Sequence, residues 1–272
     1  MQQVLEKTVR LCQLAGDAIL DIYHRTEDLE INTKADNSPV TAADLAAHHI
    51  LEPGLSALLD DVPVLSEEGN IPSAETRAQW RRYWLIDPLD GTKEFIERNG
   101  QFTVNVALIE DGVATLGVVY VPVTGITYTG LKGEGATKIT PQGVEKIHVR
   151  TMAEAKAQGS VEVMISRVYG ADKVVAMLDR MGDQLGSITT KSMGSSLKIC
   201  LVAEGAADLY PRLAPTCEWD TAAAQAVVEA AGGTVLDDQF DTLRYNQKDS
   251  LLNPFFYVVG DKHFDWKSVL ND

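Results

Sequence analysis

A single short peptide carries three hard oxygen ligands. Asp87-Pro88-Leu89-Asp90-Gly91-Thr92 sets two aspartates three residues apart, with the Leu89 carbonyl between them, at the end of the apolar run Tyr83-Trp84-Leu85-Ile86. Carboxylate and carbonyl oxygens are the ligands that magnesium takes. Pro88, with a fixed φ and no N–H, suits the start of a turn or a first helical position. Gly91 permits close approach of the backbone to a ligand. Thr92, Lys93 and Glu94 read as the opening of a helix, whose N–H groups face a phosphate. The same six residues also read as an ordinary tight turn capped by aspartates. Three further acids weigh against that. Glu67 closes another short apolar run, Val62-Pro63-Val64-Leu65, Asp220 precedes a helix, and Asp44 stands near the start of an earlier one. Each has a plain structural alternative: a surface loop residue for Glu67, an N-cap for Asp220, a capping-box acid for Asp44. Acids gathered at element ends in this way are less easily read as separate structural devices. One segment could thus hold both metal and phosphate. No protein nucleophile is evident. His24, His48, His49, His148 and His263 show no ligand spacing and read as surface or helix-face residues.

The elements that position these acids follow from periodicity. Val4, Leu5, Thr8, Leu11, Cys12, Ala15, Ile19, Ile22 and Tyr23 repeat at helical spacing. Loop chemistry follows in Lys34-Ala35-Asp36-Asn37-Ser38-Pro39, and Thr41 with Asp44 opens a second helix that runs to about Pro53-Gly54. Short strands end at Ser66-Glu67-Glu68-Gly69 and at Asp87-Pro88. Residues 103–109 and 115–121 form a hairpin about Asp111-Gly112. Further strands are read at residues 126–129 and 147–149. The second half alternates strand (161–165, 188–191, 207–210) with helix (171–181, 195–204, 221–231). Asp220 is placed to cap the last of these and Gly232-Gly233 to stop it. Val235 and residues 255–259 supply the last strands, before a terminal helix from about Lys262. The division is read near residue 150. Residues 1–150 form an α+β half with an antiparallel sheet and most metal ligands. Residues 151–272 form an α/β half that supplies Asp220 and substrate contacts.

Composition narrows the function. The chain has 272 residues, 45% of them hydrophobic and 23% charged, as in an ordinary globular protein. The net charge of −15 excludes long duplex nucleic acid as a partner. It leaves a small anionic substrate open, because remote surface charge is screened and bound cations reverse the local field. Cys12, Cys200 and Cys217 show no metal spacing and read as inert thiols. The first 23 residues interleave charges with apolar residues, unlike a signal peptide or a bilayer span. A reducing cytoplasm is the expected compartment. Weak attachment to the inner face of a membrane stays open, as does the choice between monomer and homodimer.

Five segments resemble the lithium-sensitive, magnesium-dependent phosphatases typified by inositol monophosphatase, and within them the CysQ-type 3′(2′),5′-bisphosphate nucleotidase branch. They are KADNSPVTAAD (34–44), PVLSEE (63–68), WLIDPLDGTKEF (84–95), GSSLK (194–198) and EWDTAAAQAVVEAAGG (218–233), in order across nearly the whole chain. The resemblance implies a layered α/β/α/β/α sandwich. It implies that Glu67, Asp87 and the Leu89 carbonyl hold one Mg2+, that Asp87, Asp90 and Asp220 hold a second, and that a weaker third sits near Glu67 with Glu68 close by. Asp44 and Thr92 match the pair that orients the attacking water, and Glu67 joins them as a catalytic residue. Gly91 and Thr92 would give N–H groups to the phosphate. Glu67, Leu89, Asp90, Gly91, Thr92 and Asp220 would then surround the scissile phosphate. Lys93-Glu94 after Thr92 resembles the nucleotidase branch. Arg212 stands where inositol enzymes carry a sugar-binding carboxylate, and would favour a second phosphate. A surface ion pair is its structural alternative. Ser195, Ser196 and Lys198 would meet ribose or phosphate at a helix start, or merely cap that helix. The implied reaction takes adenosine 3′,5′-bisphosphate to AMP and phosphate, with 3′-phosphoadenylyl sulfate as a second substrate, a link to sulfur assimilation, and inhibition by lithium. The rivals are an inositol or other sugar monophosphate phosphatase on the same scaffold and, more remotely, a non-catalytic nucleotide or metal sensor.

Overall fold

The helical period of the N-terminal segment forms α1 (Gln2–Tyr23), which buries Leu5, Cys12, Ala15, Ile19 and Tyr23 along one face. The computed structural model describes residues 1–25, 31–33, 39–166 and 171–270; the predicted loop at residues 34–38 lies outside them. A short antiparallel pair, β1 (Ile31–Thr33) and β2 (Pro39–Thr41), leads into α2 (Ala42–Ser56). Thr41 caps α2 and forms the expected capping box with Asp44. The helix runs past its expected end at Pro53-Gly54, because Ala57 N–H still bonds the Pro53 carbonyl at 3.1 Å. Gly54 allows the crossing with α1, since a Cβ there would lie 2.5 Å from Leu11 Cδ2.

β3 (Val64–Ser66), α3 (Ala74–Arg77), β4 (Arg82–Asp90) and α4 (Thr92–Ile96) come next. Then follow β5 (Thr103–Glu110), β6 (Val113–Val121), β7 (Ile126–Leu131), β8 (Gly135–Thr140) and β9 (Gly143–Ile147). β3 to β9 form one seven-stranded sheet in chain order, with β3–β4 parallel and every other pair antiparallel. Asp111 (φ 48°) and Gly112 (φ 78°) make the two-residue hairpin turn, as their positive φ values require. β4 departs from expectation. It continues through Asp87-Pro88 to Asp90, with one extra residue against β5 between the pairs Asp87–Asn105 and Asp90–Thr103. The motif is thus a bulged strand end and not a turn, and Pro88 sits in the bulge, where no ladder N–H is required.

The second half contributes α5 (Met152–Gln158), β10 (Val161–Ile165), α6 (Ala171–Leu185), β11 (Ile188–Ser192), α7 (Leu197–Ala203) and β12 (Leu209–Arg212). After a 3₁₀ turn at Glu218–Asp220 come α8 (Ala222–Ala230), β13 (Thr234–Asp237), β14 (Phe256–Val259) and α9 (Trp266–Leu270). Their sheet has the order β11-β10-β12-β14-β13, parallel except for β14. α9 starts later than Lys262 because Asp265 accepts the Ser268 N–H as its cap. α1 and α2 cover one face of the first sheet, α7 and α8 lie between the sheets, and α5, α6 and α9 cover the outer face of the second. This is the α/β/α/β/α sandwich. Period-two alternation in β4 sends Trp84 and Ile86 to the α1–α2 side and Tyr83 and Leu85 to the α7–α8 side. α8 lies directly on the sheet at the paired residues Gly117 and Gly130. A Cβ at Gly117 would fall 2.1 Å from the Ala223 carbonyl oxygen, and one at Gly130 2.4 Å from that of Ala226. The alanine-rich start of α8, and Asp220 just ahead of it, are therefore seated beside the ends of β3 and β4.

Candidate active site

Parallel pairing of β3 with β4 is extended by Glu67 N–H, which bonds the Ile86 carbonyl at 3.2 Å and brings Glu67 beside Asp87. Ser66 locks this corner: its hydroxyl meets His48 Nδ1 at 2.9 Å and accepts the Glu68 N–H at 3.3 Å. His48 is thus a buried residue of α2, and burial lowers its pKa toward the neutral ring. Asp87, 2% exposed, accepts the Leu89 N–H on Oδ1 at 3.0 Å across the bulge, and the Leu89 side chain is buried in the first core. Asp220 arrives from the other half. It was expected to cap α8, but its Oδ2 instead accepts the Cys217 N–H at 2.8 Å, closing the 3₁₀ turn that precedes that helix. One oxygen each of Glu67, Asp87 and Asp220 lies within 4.8 Å of the others. Asp90 and Glu68 stand outside this tight group. Asp90 Oδ2 accepts the Ser196 N–H at 2.5 Å and, at a longer 3.4 Å, Asn105 Nδ2.

Burial and mutual repulsion show in the acidities. Asp87 is held well above the usual carboxylate range by burial first, then by Glu67, Asp90, Asp220 and Asp44. Asp220 is raised by burial and by Asp90 and Glu67, against the opposing Cys217 N–H and Arg212. Asp90 is pushed up to about 6 by burial, with Lys198 and the Ser196 N–H pulling the other way. Three converging carboxylate oxygens, one of them on a buried side chain, make a donor set suited to a hard divalent cation, which would relieve this repulsion.

Asp44 is 1% exposed and accepts hydrogen bonds from both Thr41 and Thr92. Its Oδ2 accepts the Thr41 N–H at 2.8 Å and the Thr41 hydroxyl at 2.6 Å, while Oδ1 accepts the Thr92 hydroxyl at 3.2 Å. The capping box and the bond to Thr92 are thus made by one carboxylate. Gly91, at φ 94°, turns the chain from β4 into α4 and places Thr92 there.

A cleft of ≈ 180 Å³ adjoins the acids, lined by Asp90, Gly91 and Asp220 and by three cations, Lys93, Lys198 and Arg212. The structure redraws the far side of this site. α7 begins at Leu197, after Ser195 in a left-handed conformation (φ 48°), and Ser196 makes no side-chain cap. Ser196 is buried instead, bonding Asn105 Oδ1 and Thr103 Oγ1, both at 2.9 Å. Lys198 is buried too; its Nζ donates to the Ser195 carbonyl at 2.6 Å and the Met193 carbonyl at 3.2 Å, over the Tyr210 ring. Arg212 reaches the Ser166 hydroxyl at 2.7 Å and the Pro215 carbonyl at 3.2 Å, so it is braced within the cleft wall. Thr103, Asn105 and Ser166 were missed from the sequence. The one available signal was Thr103 and Asn105, polar residues two apart inside the apolar run that follows Phe102.

The sequence signature of the inositol monophosphatase family matches residues 1–257. The 3′(2′),5′-bisphosphate nucleotidase CysQ of Escherichia coli (strain K12) is 51% identical over 255 residues, covering 94% of this chain and 99% of its own. That of Haemophilus influenzae is 36% identical over 268 residues, covering 98% and 97%. Among solved structures, CysQ from Bacteroides thetaiotaomicron, described as a bacterial member of the inositol monophosphatase family, superposes with a TM-score of 0.83 at 39% identity, covering 96% of this chain and 98% of that one. Among the described residues no helix is long and apolar enough to cross a membrane.

Proposed function

The chain belongs to the inositol monophosphatase family, and on that premise we propose that it is a 3′(2′),5′-bisphosphate nucleotidase that hydrolyses adenosine 3′,5′-bisphosphate to AMP and inorganic phosphate. The observation that carries this reading is the meeting of Glu67, Asp87 and Asp220 within 4.8 Å, at the edge of a cleft that also holds Lys93 and Arg212. Magnesium, which enzymes of this family use in general, would supply charge neutralisation and an activated water. Glu67, Asp87 and the Leu89 carbonyl are the proposed ligands of one ion, and Asp87, Asp90 and Asp220 those of a second. A third ion, near Glu67, belongs to the same proposal.

The chain's own groups divide the remaining work. Thr92 Oγ1, tied to Asp44 Oδ1 at 3.2 Å, orients the attacking water, and Asp44 accepts its proton through that bond. Gly91 and Thr92 present backbone N–H groups to the scissile phosphate, and Glu67 shares in water activation. Arg212 and Lys93 place a second phosphate, which an inositol monophosphate lacks. Ser195 offers its hydroxyl from a strained backbone, on a loop braced by Lys198. A cytoplasmic role in recycling the by-product of sulfotransfer, with 3′-phosphoadenylyl sulfate as a second substrate and lithium as an inhibitor, belongs to the same proposal.

Phosphate release from adenosine 3′,5′-bisphosphate, 3′-phosphoadenylyl sulfate and inositol 1-phosphate, each with magnesium and with EDTA, tests it. A hydrogen bond to a charged group contributes about 1.5–3 kcal/mol, so kcat/KM should favour the bisphosphate by about tenfold or more. Equal or faster turnover of inositol 1-phosphate would refute the substrate. Tight bisphosphate binding with no release at saturating magnesium would mark a sensor instead.

A further inference from the structure

We propose that Asn105 is a positioning residue that locks Asp90 to the Gly194–Ser196 loop, so that a metal-site carboxylate from one half and the cleft loop of the other are held as one unit. The inference rests on the metal-centre part of the proposed function and not on its substrate. Asn105 lies on β5 opposite Asp87, across the bulge that carries Asp90. It is 1% exposed; its partner Ser196 is 3% exposed, and Thr103, which bonds that serine in turn, is 0% exposed.

The donors and acceptors run in one direction. Ser196 Oγ donates to Asn105 Oδ1, so the Ser196 oxygen is left to accept the Thr103 hydroxyl, both at 2.9 Å. That orientation fixes the Asn105 amide: its oxygen is taken by Ser196, and its Nδ2 points to Asp90 Oδ2 at 3.4 Å. The chain ends on a carboxylate, which only accepts. The Ser196 N–H meets the same Oδ2 at 2.5 Å. Among the described residues both donors to Asp90 thus converge on Oδ2, and Oδ1 is the atom the network turns over to a cation. The loop is fastened again at Gly194, whose N–H bonds Gln101 Oε1 at 2.9 Å and whose missing side chain would fall 2.6 Å from Glu94 Cγ. Asn105 is the member of this network that bonds both the loop and the acid with a side chain that no ligand can reach.

The test removes the amide without adding charge. Asn105→Leu keeps the heavy-atom count and branching and deletes both bonds; Asn105→Ala serves if the bulkier leucine variant does not fold. Loss of a partner that orients a metal ligand weakens metal binding by about 10–100-fold. Calorimetric titration of EDTA-stripped protein with magnesium should show at least the lower end of that loss, with the KM for adenosine 3′,5′-bisphosphate at saturating magnesium changed far less. Thr103→Val breaks a buried bond to the same Ser196 oxygen but leaves both donors to Asp90, and should lower the melting temperature while binding magnesium like the parent. Parent-like magnesium affinity in Asn105→Leu, or equal weakening in Thr103→Val, would overturn the inference while leaving the proposed function standing. A parent protein that bound no magnesium would overturn both.

Discussion

Replacing Gly117 by alanine is a test of whether α8 sets the position of Asp220. The new Cβ would lie 2.1 Å from the Ala223 carbonyl oxygen, 2.8 Å from Ala226 Cβ and 3.0 Å from the Ala223 carbonyl carbon. Two of these atoms are backbone, so no flexible side chain can swing aside. Bringing the oxygen back to ordinary contact, near 3.4 Å, requires helix and sheet to part by about 1 Å. Asp220 closes the turn three residues before Ala223, and that turn is joined to the helix through the Gln225 N–H bond to the Thr221 carbonyl at 2.8 Å. The displacement therefore reaches the carboxylate and opens a group whose oxygens now lie within 4.8 Å. Overpacking of this kind costs about 1–3 kcal/mol, which for a chain of this size lowers the melting temperature by roughly 3–10 °C. A misplacement of about 1 Å costs on the order of 100-fold in rate. Phosphate release at saturating magnesium, a magnesium titration and a thermal melt would be measured on Gly117→Ala, Gly130→Ala and Gly133→Ala. Gly130 contacts α8 one turn further from Asp220, so its variant should lose comparable stability and less activity. Gly133 (φ 86°) has nothing within 4 Å of its virtual Cβ, so its variant should carry backbone strain alone and full activity. A folded Gly117→Ala protein with the parent's rate would refute the reasoning.

Asp87→Asn should raise the melting temperature in EDTA, because folding must otherwise bury a charge that four neighbouring carboxylates oppose or take up a proton there, and the amide needs neither. It should also abolish the magnesium-induced rise and lower activity by more than the about 10–100-fold that a ligand's supporting partner costs. The metal-free protein has a definite pH dependence from Asp90, whose folded pKa of about 6 lies above its ordinary value of 3.8. That group favours the fold below the ordinary value, and its contribution is lost as pH rises through about 6, so the stability gap between Asp90→Asn and the parent should widen from pH 4 to 6 in EDTA melts. A gap that narrowed would have the wrong sign. Thr92→Val should keep magnesium affinity and KM within about twofold while kcat falls by about 10²–10⁴, the usual loss when a proton-transfer group is removed. Single-turnover phosphate release separates the two effects.

The local devices were legible because neighbours in the chain set them. Thr41 with Asp44 reads as a capping box and forms one. Asp111-Gly112 reads as a hairpin turn and adopts the positive φ values that such a turn needs. Pro88 misled, because a proline after a strand signals a turn or a helix start, whereas a bulge tolerates it equally within β4. Lys198 and Ser196 were assigned to substrate or to a cap. Their burial depends on Tyr210, Thr103 and Asn105, which are remote in the chain and invisible to local pattern. Nothing local marks Gly117 or Gly130 as a seat for α8, since a glycine inside a strand announces a close approach without naming what approaches.

Glu67 and Asp87 come from the first third of the chain and Asp220 from its last quarter, so no fragment folding alone assembles the tight acid group. Pairings of such long range form late on the route to the native state. An ion that needs ligands from both halves of the chain has little to hold before they dock, and its influence falls on the reverse passage. Magnesium should leave the refolding rate almost unchanged and prolong the lifetime of the assembled protein, acting as a clasp closed after the halves have met.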